Sequence, residues 1–287
     1  MPATDTNTTR RALTAFLLTA VGQVLAKSVV PTSAASANFT VFDALLHRGK
    51  PNLTHQGLVP MAAVAGVWRP GIPKDIVDEP GVMGALEQLP REVQVIFIDI
   101  ENWPLLDSNG SVQSRNVDNY LRTAEIVRRV KPHLKFGFYG IAPTCVYWPI
   151  IRHDKKQLGD WRAVNRALRP LSQWVDFVLP SLYTSYDDHE GWRQFAVATL
   201  EEAGQYGKPV YPFLMYEYVD NNVFLRGQQI RDVDWSDELD VCRERAEGVV
   251  LWGGSQRKWS ESAPWWQATL KFMRNNSVTA AGFMGRV

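Results

Sequence analysis

From Phe39 onward, short apolar runs alternate with segments whose apolar positions recur every three or four residues. The runs at 39–45, 93–101, 135–140, 175–184, 209–218 and 248–254 are apolar on both parities, which is the pattern of strands covered on both faces. The run at 58–66 reads as a further strand or a short helix. Between these runs, 82–90, 116–133, 161–174, 190–207, 236–246 and 264–276 carry the helical period. Pro90 ends the first of these helices and Gly207 closes the fourth. Asn116 or Asp118 is the expected cap of 116–133, which places Leu121, Ile126 and Val130 near one stripe, and Ser236 is the expected cap of 236–246.

Strand and helix alternate to the end of the chain. This predicts an α/β fold, a distorted (β/α) TIM-like barrel of seven or eight strands forming one domain over residues 38–287. An open doubly wound sheet is the competing arrangement. No Gly-rich turn follows any strand, so neither a phosphate cradle nor a cofactor is expected. The segments 46–57 and 219–235 read as long loops, and the second is polar enough to lie over an active site.

The first 37 residues follow a different pattern. Arg10 and Arg11 precede the apolar stretch "ALTAFLLTAVGQVLA", and small residues lead to Ala35-Ser36-Ala37. This is the order of a twin-arginine export signal with cleavage after Ala37. The apolar stretch is shorter than the roughly 20 residues that span a bilayer, and Gln23 and Lys27 interrupt it. An exported protein without a membrane span is therefore expected: secreted, periplasmic or on the cell surface. The 31 basic and 30 acidic residues nearly cancel, and no Lys/Arg-rich block suits a nucleic acid. Cys145 and Cys242 are two thiols without a C-x-x-C spacing, and no His cluster suggests a metal site. Asp187, Asp188 and His189 are adjacent in a loop and point in different directions, so a metal there is not expected either.

Function in a parallel barrel sits at the C-terminal ends of the strands. Those ends carry acids and aromatic rings: Asp99, Glu101 and Trp103; Tyr139; Tyr183; Tyr216 and Tyr218; and Trp252. Acids suit acetal chemistry, and aromatic faces suit sugar rings. Residues i and i+2 of a strand share a face, so Asp99 and Glu101 lie side by side. Two close acids raise one another's pKa, and a raised pKa makes a general acid near neutral pH. A salt-bridged structural pair is the plainer alternative. Retaining glycosidases with two catalytic carboxylates hold them about 5–5.5 Å apart, and inverting ones about 6.5–9.5 Å. Two acids on one strand are too close to act from opposite faces of a sugar. Substrate assistance resolves this: the 2-acetamido group of an N-acetylhexosamine attacks its own anomeric carbon, Glu101 donates the proton and Asp99 positions the acetamido group. On 209–218, one of Tyr216 and Tyr218 is expected to face the cleft, with Glu217 turned toward the helices. Trp252 stands before Gly253-Gly254, which would leave room for a ligand beside the ring. Trp265 and Trp266 read as core.

Five stretches in order, "IDIENWP", "FGFYGIAPTC", "VLPSLYT", "PVYPFLMYEY" and "GVVLWGG", resemble the hyaluronidases typified by the bee venom and mammalian sperm enzymes. The resemblance spans residues 93–254. It implies a distorted barrel and endo-hydrolysis, with retention, of β-1,4 bonds at N-acetylhexosamine in hyaluronan- or chondroitin-like polysaccharide. Carried over, Glu101 is the proton donor and Asp99 the acetamido positioner, while Tyr139, Tyr183 and Trp252 line the subsite. The chain departs from the family in lacking its two disulfide bridges, since only Cys145 matches, and in a faint first strand. A hydrolase of chitin or peptidoglycan sugars, and a non-catalytic carbohydrate-binding barrel, are the alternatives. The first usually shows a longer D-x-x-D-x-D-x-E run, absent here.

Overall fold

The structure is a computed structural model, described here over residues 39–278. The export signal expected at 1–37 lies outside the described residues. Seven strands form: β1 (Thr40–Leu45), β2 (Val59–Pro60), β3 (Ala62–Val64), β4 (Val95–Ile98), β5 (Lys135–Phe138), β6 (Phe213–Met215) and β7 (Gly248–Gly253). Seven α-helices accompany them: α1 (Glu79–Glu87), α2 (Ser114–Val130), α3 (Tyr147–Ile151), α4 (Lys155–Leu168), α5 (His189–Gly204), α6 (Asp232–Arg245) and α7 (Pro264–Asn275). All ladder pairs are parallel. They form a four-stranded sheet ordered β2-β1-β7-β6 and a three-stranded sheet ordered β3-β4-β5.

Two apolar runs behave differently from the strands expected of them, and proline is the reason in both. The run 58–66 becomes β2 and β3 with a step between them. β2 pairs with β1 and β3 with β4, so this one segment belongs to both sheets. Pro60 has no amide to continue a ladder, and the amide of Met61 donates to Asp43 O instead. The run 175–184 makes only isolated parallel bridges, Tyr139↔Leu179 on one side, Val178↔Val210 and Ser181↔Phe213 on the other. Pro180 and Pro209 remove donors from this seam. The remaining amides still link it: Gly140 to Leu179 O, Tyr211 to Val178 O and Leu182 to Phe213 O.

The helices also depart in detail. α2 starts at Ser114, before the expected caps Asn116 and Asp118. α6 starts at Asp232 rather than after Ser236, whose hydroxyl donates to Asp232 O within the first turn. Asp232 and Asp234 suit that position, because acids favour the positive N-terminal end of a helix. The short α3 and the first six residues of α4 were not anticipated.

Two buried clusters divide the apolar residues. The larger joins strand residues such as Val41, Ile96, Ile98, Leu214 and Val249 to the helices. The smaller consists of strand and near-strand residues alone, among them Phe42, Val95, Phe97, Phe177, Phe213 and Val250. The strands therefore bury one face against helices and the other against each other. Both faces are apolar, which is why the runs lack alternation. Both cysteines are free thiols.

Candidate active site

The face of each strand end follows from its parity. Phe97 packs in the strand-only cluster, 5.0 Å from Phe213 and 5.5 Å from Trp252 between ring centroids. Ile96, Ile98 and Ile100 pack toward the helices. The Asp99 amide still donates to Val64 O, so strand alternation holds there and carries the Asp99 side chain to the same face as Phe97. Glu101 follows at i+2. Tyr120 donates its hydroxyl to Ile100 O and pins the backbone between the two acids.

Among the described residues, no hydrogen bond or ion pair reaches either carboxylate. Burial pushes the half-buried Asp99 carboxyl above the usual range. Glu101 is the more open of the two. Partial desolvation raises its pKa, and the neighbouring Asp99 charge adds to the push. A raised pKa favours the protonated form, and an unpartnered acid beside a second acid suits a proton donor with nothing competing for its proton.

Tyr139, Tyr183 and Trp252 are half-buried and all rest on the strand-only cluster. The Tyr139 and Tyr183 rings are 5.8 Å apart, and the Tyr139 hydroxyl lies 3.2 Å from Ser181 Oγ. Burial lifts the Tyr139 phenol to about 12 and that of Tyr183 well above its ordinary value. Both therefore stay neutral and can donate hydrogen bonds to a ligand.

Two cavities flank this group. One, of about 600 Å³, is lined by Glu101, Tyr139 and the wall from Trp103 to Trp161. The other, of about 500 Å³, holds Tyr183, Met215, Glu217, Tyr218, Trp252 and Arg257. Of the five residues carried by the resemblance, Glu101 and Tyr139 thus line one cavity and Tyr183 and Trp252 the other, while Asp99 lies on the face of Phe97 beside Glu101.

The remaining expected contacts are placed differently. Trp103 is buried in the wall of the larger cavity, donating its indole N–H to Lys74 O and meeting Tyr120 edge-on at 5.0 Å. Tyr216 turns toward the helices. It stacks on Trp265 at 4.1 Å and shares a 2.9 Å hydrogen bond with His47 Nε2. Tyr218 lines the smaller cavity and donates to Asp187. Glu217, expected among the helices, lines that cavity too and accepts from Arg257 Nε at 2.9 Å. Alternation holds through Glu217: Tyr211, Phe213, Met215 and Glu217 share the inner face while Leu214 and Tyr216 face the helices, so the expectation for Glu217 had the parity reversed, and only Tyr218, beyond the ladder's end at Met215, departs from it.

The space beside Gly254 is also filled from within. With φ of 82° it adopts a conformation other residues rarely take, and a Cβ there would lie 2.2 Å from His47 Nδ1. Arg257, Thr144 and Trp161 escaped the sequence reading. Each sits in a loop or helix with no periodic signal pointing to a cavity. Trp265 and Trp266 are buried in the core.

The fold this arrangement defines is a parallel, TIM-barrel-like α/β fold with its acids and rings at the C-terminal ends of the strands. No family model matches the sequence, and no curated protein does. Among solved structures, the chain is similar to a crystal structure of bee venom hyaluronidase, with 15% identity over 85% of this chain and 99% of that one and a TM-score of 0.59. It is likewise similar to bee venom hyaluronidase in complex with a hyaluronic acid tetramer, at 15% identity over 85% and 98% of the two chains, with a TM-score of 0.52. At this identity the likeness is one of fold.

Proposed function

We propose that the protein is an exported glycoside hydrolase that cleaves β-linked N-acetylhexosamine with retention, through the substrate's own acetamido group. The observation carrying this reading is the Asp99–Glu101 pair: two unpartnered carboxylates at i and i+2 of one strand end, both with raised pKa. The acetamido oxygen forms a bond to the anomeric carbon as the glycosidic C–O bond breaks, and the Glu101 proton goes to the departing oxygen. Asp99 holds the acetamido N–H and balances the positive charge that develops on the ring. Glu101, now a carboxylate, takes a proton from the water that opens the cyclic intermediate. The two inversions give retention. Tyr139 and Tyr183 donate to the acetamido group, and Trp252 offers a face for the sugar ring.

Hyaluronan- or chondroitin-like polysaccharide is the polymer the sequence resemblance suggests, cut at its β-1,4 bonds. A second reading, an N-acetylhexosamine polymer without uronic acids such as chitin or peptidoglycan, is favoured by the charges around the cavities. The two cavities are lined by Glu101, Asp160, Glu217 and Asp220 and by a single basic side chain, Arg257; Arg257 is paired with Glu217, and Asp160 with Lys156 outside the lining, so among the described residues no free cation is offered to a uronate. Incubation with hyaluronan, chondroitin, chitin and peptidoglycan fragments tests both, with products read by mass and anomeric configuration by NMR. Saturated products of retained configuration are expected. Unsaturated or inverted products would overturn the mechanism, and binding without turnover would make the protein a carbohydrate-binding barrel.

A further inference from the structure

The larger cavity differs from a sugar subsite in how its polar groups are used. Trp161 Nε1 donates to Thr144 O at 2.7 Å, and Thr144 Oγ1 donates to Asn165 Oδ1 at 2.9 Å. Trp103 and Tyr120 spend their N–H and O–H on backbone carbonyls. What these side chains present to the cavity is carbon. Leu105, Leu106, Ile141, Val146 and Val164 line much of the rest, and the one neutral amide side chain there, Gln157, donates to Asp154 at 2.7 Å. The acids of this wall are Glu101, the proton donor, and Asp160, which is paired with Lys156 at 2.7 Å, and among the described residues no basic one lines it. A sugar needs partners for each hydroxyl it buries, because an unpaired polar group removed from water is costly. A uronate would in addition find no basic side chain in this wall to pair with. The volume of about 600 Å³ lies within the range of pockets that enclose a small organic molecule.

Glu101 stands in this wall, and a proton donor faces the oxygen that departs. Resting on the reading above, we infer that the cavity beside Glu101 binds the leaving group, and that this group is uncharged and apolar, an alkyl or aryl aglycone. The N-acetylhexosamine itself lies over Tyr183 and Trp252. The substrate class is then an apolar N-acetylhexosaminide, with a lipid or aryl moiety beyond the scissile bond.

The test uses methyl, butyl and octyl β-N-acetylglucosaminides below micelle-forming concentrations, with a hyaluronan tetrasaccharide as the anionic comparator. Alkanol leaving groups differ little in basicity, so chain length isolates burial. Each buried methylene favours binding by up to about fourfold. The kcat/KM for octyl is expected to exceed that for methyl on the order of 100-fold, with the tetrasaccharide cleaved less well than octyl. Leu106 is 39% exposed at the cavity edge, so Leu106→Asp spares the core. It lowers the octyl-to-methyl ratio about tenfold or more, and the cavity-filling Val164→Phe does the same. Calorimetric binding of the same glycosides separates the two claims. Hydrolysis with no dependence on chain length overturns this inference and leaves the proposed reaction standing. Binding that strengthens with chain length, without hydrolysis of any glycoside, overturns the reaction and supports the apolar site. Neither hydrolysis nor chain-length-dependent binding overturns both.

Discussion

The cavity beside Glu101 and the cavity beyond Trp252 meet at the Tyr139–Tyr183 pair but are finished differently. In the first, indole and hydroxyl donors are turned into the protein and the wall is left as carbon. In the second, Glu217 and Arg257 pair in the wall, Arg257 also donates to Gly227 O, and Asp220 and Gln256 lie beside them. A rim of strand ends does not by itself make a uniform sugar cleft. The loops after β4 and β5 make one side apolar, and those after β6 and β7 make the other polar. Glu101 stands in the apolar wall, with Tyr139 of that wall 5.8 Å from Tyr183 of the polar one, which is where a bond between a polar sugar and an apolar group would lie.

Glu101→Gln tests that junction most severely. It is expected to lower kcat by about 10³- to 10⁴-fold while the thermal midpoint stays put, as judged by circular dichroism. Turnover within tenfold of wild type would remove Glu101 as the donor and end the comparison. Asp99→Asn is expected to lower kcat by on the order of 10²- to 10³-fold, with KM changed far less, because it acts on charge that develops in the transition state. An effect confined to KM would make Asp99 a ground-state contact. Arg257→Ala frees Glu217 and leaves an unpaired acid in the polar cavity. It is expected to raise KM for a tetrasaccharide about tenfold more than for a methyl glycoside, measured by initial rates. Equal changes for both would mean that the polar cavity holds no further sugar.

The smallest effect is a displacement in pH. The Asp99 charge raises the pKa of Glu101, which must be protonated to act, so activity is lost as pH rises through that raised value. Removing the charge in Asp99→Asn lets the Glu101 proton leave earlier. The alkaline limb of the kcat/KM profile then moves to lower pH. A limb that stays in place, or moves upward, would show that another group sets it.

The sequence reading reached the acids more surely than their surroundings. Val95, Phe97, Asp99 and Glu101 follow one parity in a strand whose ladder holds, so local geometry suffices there. At 209–218 the same rule holds through Glu217, but the sequence did not show which parity faces inward: Phe213, Met215 and Glu217 do, Leu214 and Tyr216 do not, and Tyr218 leaves the pattern beyond the end of the ladder at Met215. The run 175–184 has the composition of a strand, yet its prolines reduce it to isolated bridges.

The sequence by itself determined the alternation of strand and helix, and it determined that Asp99 and Glu101 share a face, because both follow from periods of two and of three to four along the backbone. The tertiary structure decided which partners those acids lack, and that the indoles of Trp103 and Trp161 hide their N–H groups. It also decided that His47 fills the space beside Gly254. Those outcomes depend on residues from 17 to 207 positions apart meeting across loops, and no period in the chain encodes such a meeting.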